Sequence, residues 1–477
     1  MRATDRQFWA VLLGLLLVTR IAGFVFGVVN LDEDEFCVIG SMIGRGALSY
    51  VDVAEFKPPL THFFFVPAGM FGGISIWPMR VLGALWLLCT CLVLRAAARE
   101  WTGDELAGKA AAILALLASV CEVPSISAEM LMNLPLALAL LFWIRGHWLR
   151  AGLLVGLASL FKQQGAILLC AFAGGLLYQR KPARLASIAL GFCIPWLASC
   201  GYWAWRGHLI EFFDWTVVRN LHYANAISFD WRAAASSVVL CLSATAVPWV
   251  LAVRQTCSQP RDPAIVLSLW LTWVAVAAGG RFYEHYFLQF VTPLAVMGAP
   301  AAARLLRSAD QGRRRRAIAA ATLCVCIYIT YTLYRGAAGL YPNQDPKIRE
   351  VSGWLREHTA PDASVFVWGH APQLYFLSQR RPASRYLTAA TQIGGFDPGM
   401  LPTGFDVGPY RSVRDIRLLV EDLEAARARY VVDTAPADIH HWRQMPLAKF
   451  PELEQYLREH YRVVASPANA EIFERMP

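Results

Sequence analysis

Residues 31–60 read LDEDEFCVIGSMIGRGALSYVDVAEFKPPL and follow directly on the first long apolar stretch of the chain. Four consecutive acids, Asp32 to Glu35, stand where a membrane-length helix would end, and the triplet Lys57-Pro58-Pro59 follows them. Charged residues beside a membrane span either anchor that span or carry function, and an acid in the first turn of a helix is also stabilised by the helix dipole. The loop alone leaves both interpretations open, so the rest of the chain has to decide between them.

The composition is that of a membrane protein. Of the 477 residues, 56% are hydrophobic and only 17% are charged, which is too apolar for an ordinary soluble protein of this length. The net charge is +9, but from Tyr341 onward 16 Lys+Arg face 17 Asp+Glu, so the basic excess lies among the apolar segments. That distribution argues against nucleic acid as a partner. Most of the eleven cysteines lie in apolar runs and show no metal-binding spacing, which favours a structural role for them.

Eleven apolar segments are candidates for membrane-spanning helices. They are residues 8–29, 77–98, 106–120, 130–144, 151–160, 167–178, 185–202, 233–253, 264–278, 286–303 and 318–334. The short segments 151–160 and 167–178 flank Lys162 and could together form one kinked helix. We keep them as two spans, because merging them breaks the charge alternation of the loops that follow.

The loop charges predict the orientation. With a cytoplasmic amino terminus, where Arg2 and Arg6 lie, the cytoplasmic segments hold 18 basic residues against six acids, and the rest of the membrane part holds ten against twelve. This agrees with the positive-inside rule. This orientation places the loop of residues 30–76, the loops 206–232 and 279–285 and the whole tail on the external face. In a bacterium this is a multi-pass inner-membrane protein with a periplasmic carboxyl-terminal domain.

Two domains are predicted, a membrane domain of residues 1–340 and a soluble domain of residues 341–477. In the first loop, apolar residues at helical spacing predict an interfacial helix over about 33–46 that ends at Gly44 and Gly46, and the apolar run 61–71 predicts a second one. The tail alternates helical and strand patterns and predicts a small α/β domain. It contains no nucleotide-binding glycine motif.

The first loop resembles that of a known enzyme family. Asp34-Glu35, then Gly46, Tyr50 and Asp52, then Lys57-Pro58-Pro59-Leu60 are similar to the first external loop of the polyprenyl-phosphate-sugar-dependent glycosyltransferases. These are the protein O-mannosyltransferases and lipid A aminoarabinose transferases, which have the C-type glycosyltransferase fold. Gly279-Gly280-Arg281 with His285-Tyr286, and Val367-Trp368-Gly369-His370 with the segment 381–386, extend the likeness over most of the chain.

The resemblance implies an inverting transfer of one sugar from a polyprenyl-phosphate to an acceptor hydroxyl outside the cytoplasm. The acceptor could be a lipid, a protein or a polysaccharide. A hydroxyl nucleophile needs a carboxylate to take its proton, and Asp34 matches the first acid of the family motif. The leaving lipid phosphate gains negative charge, which a fixed cation stabilises. Lys57, braced by two prolines, is the candidate for that cation.

Further residues are expected at the substrate. Glu35 points about a quarter-turn from Asp34 on a helix and is expected to orient Lys57 or an acceptor group. Arg281 and His285, one helical turn apart, are expected to face the phosphate, although interfacial anchoring explains them equally well. The resemblance also implies that Tyr50 contacts the substrate.

The sequence departs from the family at two positions. Phe56 separates the acid Glu55 from Lys57, and Val38 replaces a tyrosine. No cofactor is firmly implied, and the need for a divalent cation stays open. The main alternative is a transporter or flippase of a lipid-linked saccharide, but no second copy of the loop motifs appears, as repeat-built transporters would show.

Overall fold

The structure is a computed structural model that describes residues 3–221, 231–259, 261–396, 398–402 and 404–477. Arg2, which the orientation argument used, and the middle of the 206–232 loop lie outside the described residues. Within the described part, the chain forms a large helical part followed by a small α/β part.

The helical part extends to residue 337. Its helices are α1 (Ala3–Phe26), α2 (Leu31–Gly44), α3 (Pro59–Phe64), α4 (Trp77–Thr102), α5 (Glu105–Ala118), α6 (Ala128–Ile144), α7 (Trp148–Ser159), α8 (Ile167–Tyr178), α9 (Leu185–Trp205), α10 (Leu209–Phe213), α11 (Trp231–Ala244), α12 (Ala246–Thr256), α13 (Pro263–Ala277), α14 (Val291–Arg307) and α15 (Gln311–Ala337). A π-helical turn, Asp214–Val218, follows α10, and a 3₁₀ segment, Glu284–Phe290, leads into α14. Helices therefore lie within each of the eleven predicted spans, and the span 233–253 contains two of them.

Five helical stretches of the described chain are long and apolar enough to cross a membrane, and a bent pair makes up to six. Shorter apolar helices such as α6, α7 and α13 complete the bundle. The protein is thus a polytopic helical membrane protein, as predicted, whereas the number of spans stays a prediction. One predicted span, 233–253, differs from a straight helix because α11 and α12 meet at 83°. The cause is Pro248, whose ring conflicts with the carbonyl group of Ala244 four residues earlier.

The α/β part contains one five-stranded sheet. Its strands are β1 (Ser364–Trp368), β2 (Arg381–Pro382), β3 (Tyr430–Asp433), β4 (Tyr461–Ala465) and β5 (Glu471–Arg475), in the order β2-β1-β3-β5-β4. The pairs β1–β2 and β1–β3 are parallel, and β3–β5 and β4–β5 are antiparallel. Helices α16 (Pro346–His358), α17 (Gln373–Ser378), α18 (Val413–Ala425) and α19 (Pro451–His460) complete it. The sequence predicted all but the two-residue strand β2.

The first loop lies between the helical part and the α/β part. Asn343 donates to Asp34 over 2.9 Å, the backbone N–H of Ala54 donates to the carbonyl of Arg385 over 2.8 Å, and α17 packs on α2. We call this side of the bundle the loop face. The predicted boundary between residues 340 and 341 stays a prediction; it falls between the end of α15 and the start of α16.

A buried ion pair fixes how α2 is rotated. Asn30 caps α2 and forms a reciprocal capping box with Glu33. Arg80 of α4 donates to both carboxylate oxygens of Glu33 over 2.7 and 2.6 Å, and the backbone N–H of Ile126 donates to Glu33 over 2.8 Å. Because these contacts come from two other segments, they set which side of α2 faces the bundle.

Candidate active site

The four acids of α2 point in different directions. Successive residues of a helix are about 100° apart, so Asp32 and Glu35 share one side while Glu33 and Asp34 lie elsewhere on the helix. Glu33 and Asp34 are fully buried, whereas Asp32 and Glu35 are only half-buried. The rotation set by Arg80 therefore leaves Asp32 and Glu35 as the acids that can meet a ligand.

Asp34, the predicted base, lies on the inner side of α2. Its Oδ1 accepts the bond from Asn343, and its Oδ2 has no partner among the described residues. Burial raises the pKa of Asp34 well above its ordinary value, and the charges that act on it come from Glu33 and Arg80. The contacts of Glu33 turn Asp34 toward Asn343, which lies in the segment between α15 and α16. The structure therefore does not bring Asp34 together with Lys57.

Lys57, the predicted phosphate-binding cation, lies on the outer side of α2. Its Nζ is 3.5 Å from Oε1 of Glu55 and 5.2 Å from the centre of the Phe36 ring. Phe36 follows Asp32 by four residues, so the two share one side of α2. Tyr50, which is buried, donates from its hydroxyl to the carbonyl oxygen of Lys57 over 2.8 Å. Tyr50 thus supports the backbone of Lys57, whereas the resemblance implied substrate contact.

Glu55 holds Lys57 in place. Its Oε2 accepts the backbone N–H of Lys57 over 2.6 Å and lies 2.8 Å from Nε2 of His62. Although burial opposes ionisation, the charges of Lys57 and His62 lower the pKa of Glu55 to about 2. The extra residue Phe56 therefore does not remove Glu55 from the site. His62, which is fully buried, was missed by the sequence reasoning.

Asp32 and Glu35 are the carboxyl groups that the protein leaves without side-chain partners here. Neither side chain makes a hydrogen bond or ion pair with a residue of the described ranges. Burial, with the charges of Glu55 and Asp32, raises the pKa of Glu35 to about 8, while Lys57 opposes this shift. Glu35 is therefore protonated at neutral pH and can donate a hydrogen bond, as a carboxylic acid does.

A second cation enters the site from the break between α7 and α8. Lys162 forms a buried ion pair with Glu129 at the start of α6, and its Nζ is 4.1 Å from the centre of the Tyr286 ring. Nε2 of His285 is 3.8 Å from Glu129, and the charges of Asp32 and Lys57 also act on His285. His285 thus lies between the two halves of the site, and its contact with the phosphate stays a prediction, whereas the sequence reasoning missed Lys162 and Glu129.

Arg281 lies at the edge of this cluster. It donates to the backbone carbonyl of Gly395 in the α/β part over 3.1 Å, and its charge acts on Tyr286.

A metal site requires several ligating side chains that lie close together. Within the described residues, no group of three His, Cys, Asp or Glu side chains could hold a metal ion.

The raised pKa of Glu35 predicts a pH dependence of stability. An ordinary glutamate titrates near 4.5, whereas folded Glu35 titrates near 8. The folded protein keeps a proton that the unfolded chain releases, so this contribution to stability is lost as the pH rises through that window. Glu35→Gln removes the titration. We expect the fall in Tm between pH 5.5 and pH 8.5 to be smaller in the variant by a few °C, because about 3 kcal/mol of stability corresponds to a shift of that size in a chain of this length.

The control for this measurement is Glu357→Gln, which changes an exposed acid of α16. It should leave the pH dependence of Tm as in the unmodified protein. If Tm falls equally with rising pH in Glu35→Gln and in Glu357→Gln, Glu35 does not retain its proton in the folded state.

Comparisons with known proteins show the fold. No family model and no curated protein matches the chain. Among solved structures, the chain is similar to ArnT from Cupriavidus metallidurans in the apo state, with a TM-score of 0.59 and 15% identity over 99% of this chain and 98% of that one. It is also similar to the same protein bound to undecaprenyl phosphate, with a TM-score of 0.57 and 14% identity over 98% and 97% of the two chains.

The archaeal oligosaccharyltransferase AglB from Archaeoglobus fulgidus, in complex with an inhibitory peptide and a dolichol-phosphate, is a third similar structure. Its TM-score is 0.56 and its identity 12%, over 100% of this chain and 75% of that one. These identities are low, but the likeness to ArnT extends over nearly the whole of both chains. The chain therefore has the C-type glycosyltransferase fold that its first loop predicted.

Proposed function

We propose that this protein is a glycosyltransferase that moves one sugar from a polyprenyl-phosphate donor to an acceptor hydroxyl at the loop face. The observation that carries the proposal is that the charges of Asp32 and Lys57 act on both Glu35 and His285, while His285 and Lys162 both lie against Glu129. Two carboxyl groups that have no hydrogen-bond or ion-pair partner among the described residues, and that lie near cations, suit a reaction that combines proton transfer with a phosphate leaving group. Similar structures are bound to undecaprenyl phosphate and to a dolichol-phosphate, which supports a lipid-phosphate donor.

Lys57 would hold the phosphate of the donor. Its side chain is about one-fifth exposed, and Glu55 and the Phe36 ring restrict its position. A prepositioned ammonium group stabilises the charge that develops on the phosphate as the sugar departs. Lys162 and Arg281 add positive charge around the same space, and the protonated Glu35 can donate a hydrogen bond to a phosphate oxygen.

Asp32 would be the base, in place of Asp34. The acceptor oxygen forms a bond to the anomeric carbon, the bond from that carbon to the phosphate oxygen breaks, and the hydroxyl proton goes to Asp32. The polyprenyl phosphate leaves with the bonding electrons, and this single displacement inverts the anomeric carbon. The first turn of α2 favours a negative charge at Asp32, whereas Glu35 already carries a proton at neutral pH.

The location follows from the same proposal. Polyprenyl phosphates are lipids, so their phosphate must meet the enzyme near the membrane surface, where α2 and α3 lie between the bundle and the α/β part. We propose that the loop face is periplasmic in a bacterial inner membrane, as the loop charges predict. The α/β part, residues 341–477, would then be a periplasmic domain.

The experiment that tests this function separates transfer from transport. Proteoliposomes with the purified full-length protein receive undecaprenyl-phosphate sugars labelled in the sugar, together with an envelope extract as the source of acceptor. We expect the label to move from the lipid to an acceptor while free undecaprenyl phosphate accumulates, both detected by mass spectrometry. If the intact donor crosses the membrane and its sugar–phosphate bond stays whole, the alternative of a flippase is correct.

A further inference from the structure

A cavity lies on the loop face beside the candidate active site. It has a volume of about 420 Å³ and separates the segment 209–219 from the α/β part. This volume is within the range of small-molecule sites. Neither Asp32 nor Lys57 lines it, nor does any other side chain that the proposed reaction uses. The mechanism described above therefore leaves the cavity without a role.

Hydrogen bonds connect the cavity to the residue that would hold the donor. Tyr50 lines the cavity, and its hydroxyl donates to the carbonyl oxygen of Lys57 over 2.8 Å. On the same side, Asn220 donates to the carbonyl oxygen of Phe56 over 2.7 Å and to that of Thr216 over 3.1 Å. The backbone of Phe56 and Lys57 is thus bonded to side chains on the cavity side, while the side chain of Lys57 extends into the candidate active site.

Aromatic residues border the cavity, and one of their rings is exposed. Tyr50, Phe213, Trp215 and Tyr386 line it; Phe213 is exposed, whereas the other three are buried. Trp215 belongs to the π-helical turn Asp214–Val218, a rare conformation that is frequent at functional sites. Rings offer flat apolar surface, and the hydroxyl of Tyr386, which bonds to Asp415 over 2.7 Å, shows that the wall also carries polar groups.

The charges of the cavity are paired. Three arginines and two acids line it, and two more acids bond to those arginines: Arg219, Arg385, Arg414, Glu211, Asp214, Asp415 and Asp422. The set contains one more carboxylate than guanidinium groups, so the cavity does not favour an anion. Carboxylates accept and guanidinium groups donate hydrogen bonds, and a sugar hydroxyl can satisfy both.

We propose that this cavity binds the acceptor and that the part held there is an uncharged saccharide unit. The inference rests on the proposed function, since it names the acceptor of that reaction. Paired charges offer hydroxyl groups both donors and acceptors, the exposed ring of Phe213 can cover an apolar face of a sugar, and Tyr50 connects the cavity wall to the backbone of Lys57. A phosphorylated or otherwise anionic acceptor does not fit this charge balance.

The test uses the full-length protein in nanodiscs and saturation-transfer NMR. The probes are methyl hexosides and, separately, hexose 6-phosphates. Leu418→Trp places an indole in the cavity from α18, and Arg414→Ala removes the most exposed of its three arginines. The matched control is Arg417→Ala, which changes an arginine of the same helix that is 72% exposed and does not line the cavity.

We expect a methyl hexoside to bind and the hexose phosphates to bind more weakly. Leu418→Trp should weaken that binding by about tenfold, Arg414→Ala should weaken it less, and Arg417→Ala should leave it unchanged. The inference is overturned if none of the neutral sugars binds, if Leu418→Trp has no effect, or if the phosphates bind more tightly.

A parallel measurement separates this inference from the proposed function. Undecaprenyl phosphate should raise the Tm of the unmodified protein and of Leu418→Trp equally, because the donor would bind at Lys57 and not in the cavity. If undecaprenyl phosphate binds but the cavity variants behave as the control does, only the inference about the acceptor fails. If undecaprenyl phosphate does not bind to the unmodified protein at all, the proposed function fails with it.

Discussion

Asp32→Asn should lower the rate of sugar transfer by about 10²–10⁴-fold, the usual contribution of a positioned general base. The amide has nearly the shape of the carboxylate but cannot accept the proton of the acceptor hydroxyl. Because Asp32 makes no side-chain bond within the described residues, its replacement should leave folding and membrane insertion intact. Transfer is measured with a labelled polyprenyl-phosphate sugar in membranes, and folding by thermal unfolding of the purified protein.

Asp34→Asn is the matched control for this variant. The carbonyl oxygen of the new amide can still accept the hydrogen bond from Asn343. The change also removes a buried carboxyl group whose pKa is raised well above its ordinary value by burial, so it should not destabilise the protein at neutral pH. We expect transfer close to that of the unmodified protein. Loss of transfer in Asp34→Asn, with full transfer in Asp32→Asn, would return the base to Asp34.

Lys57→Ala should lower transfer by about 10²–10³-fold, because a fixed cation that stabilises a developing negative charge contributes on that scale. Part of the loss should appear as weaker binding of the donor, since Lys57 would contact the phosphate before and during the reaction. Transfer is measured over a range of donor concentrations, so that binding and rate are separated. Glu55 keeps its contact with His62 in this variant, which should limit the structural damage.

Lys449→Ala, which changes an exposed lysine of the α/β part, is the control for Lys57→Ala. It should leave both donor binding and rate unchanged. Lys57→Arg is informative as well, since it keeps the charge but changes its geometry; we expect it to retain more transfer than Lys57→Ala. If Lys57→Ala transfers sugar with the donor affinity and rate of the unmodified protein, Lys57 does not hold the phosphate.

Much of the fold could be predicted from the sequence because the membrane imposes simple patterns. Apolar stretches and loop charges led to the helices, and short runs of strand-forming residues led to four of the five strands. The bend between α11 and α12 was missed, although Pro248 lies in the sequence within the predicted span. A proline inside an apolar segment can be absorbed by a straight helix or can break it, and only packing decides between these outcomes.

The site was harder to predict, because its geometry depends on distant residues. The loop motif identified α2 and Lys57, but adjacent acids differ in direction by about 100°. Which of them faces Lys57 depends on Arg80, which lies 47 residues from Glu33. Likewise, Lys162 pairs with Glu129 across 33 residues. The one sequence signal for Lys162 was its position as a charge between two short apolar segments, which we used for topology and not for chemistry.

The most direct test of the central claim is an experimental structure of the full-length protein in nanodiscs with bound undecaprenyl phosphate. We predict that the phosphate lies within ~4 Å of Nζ of Lys57, a distance at which two opposite charges form an ion pair, and that Asp32 faces the same space. A phosphate bound on the inner side of α2, next to Asp34 and Asn343, or bound away from α2 altogether, would contradict the account.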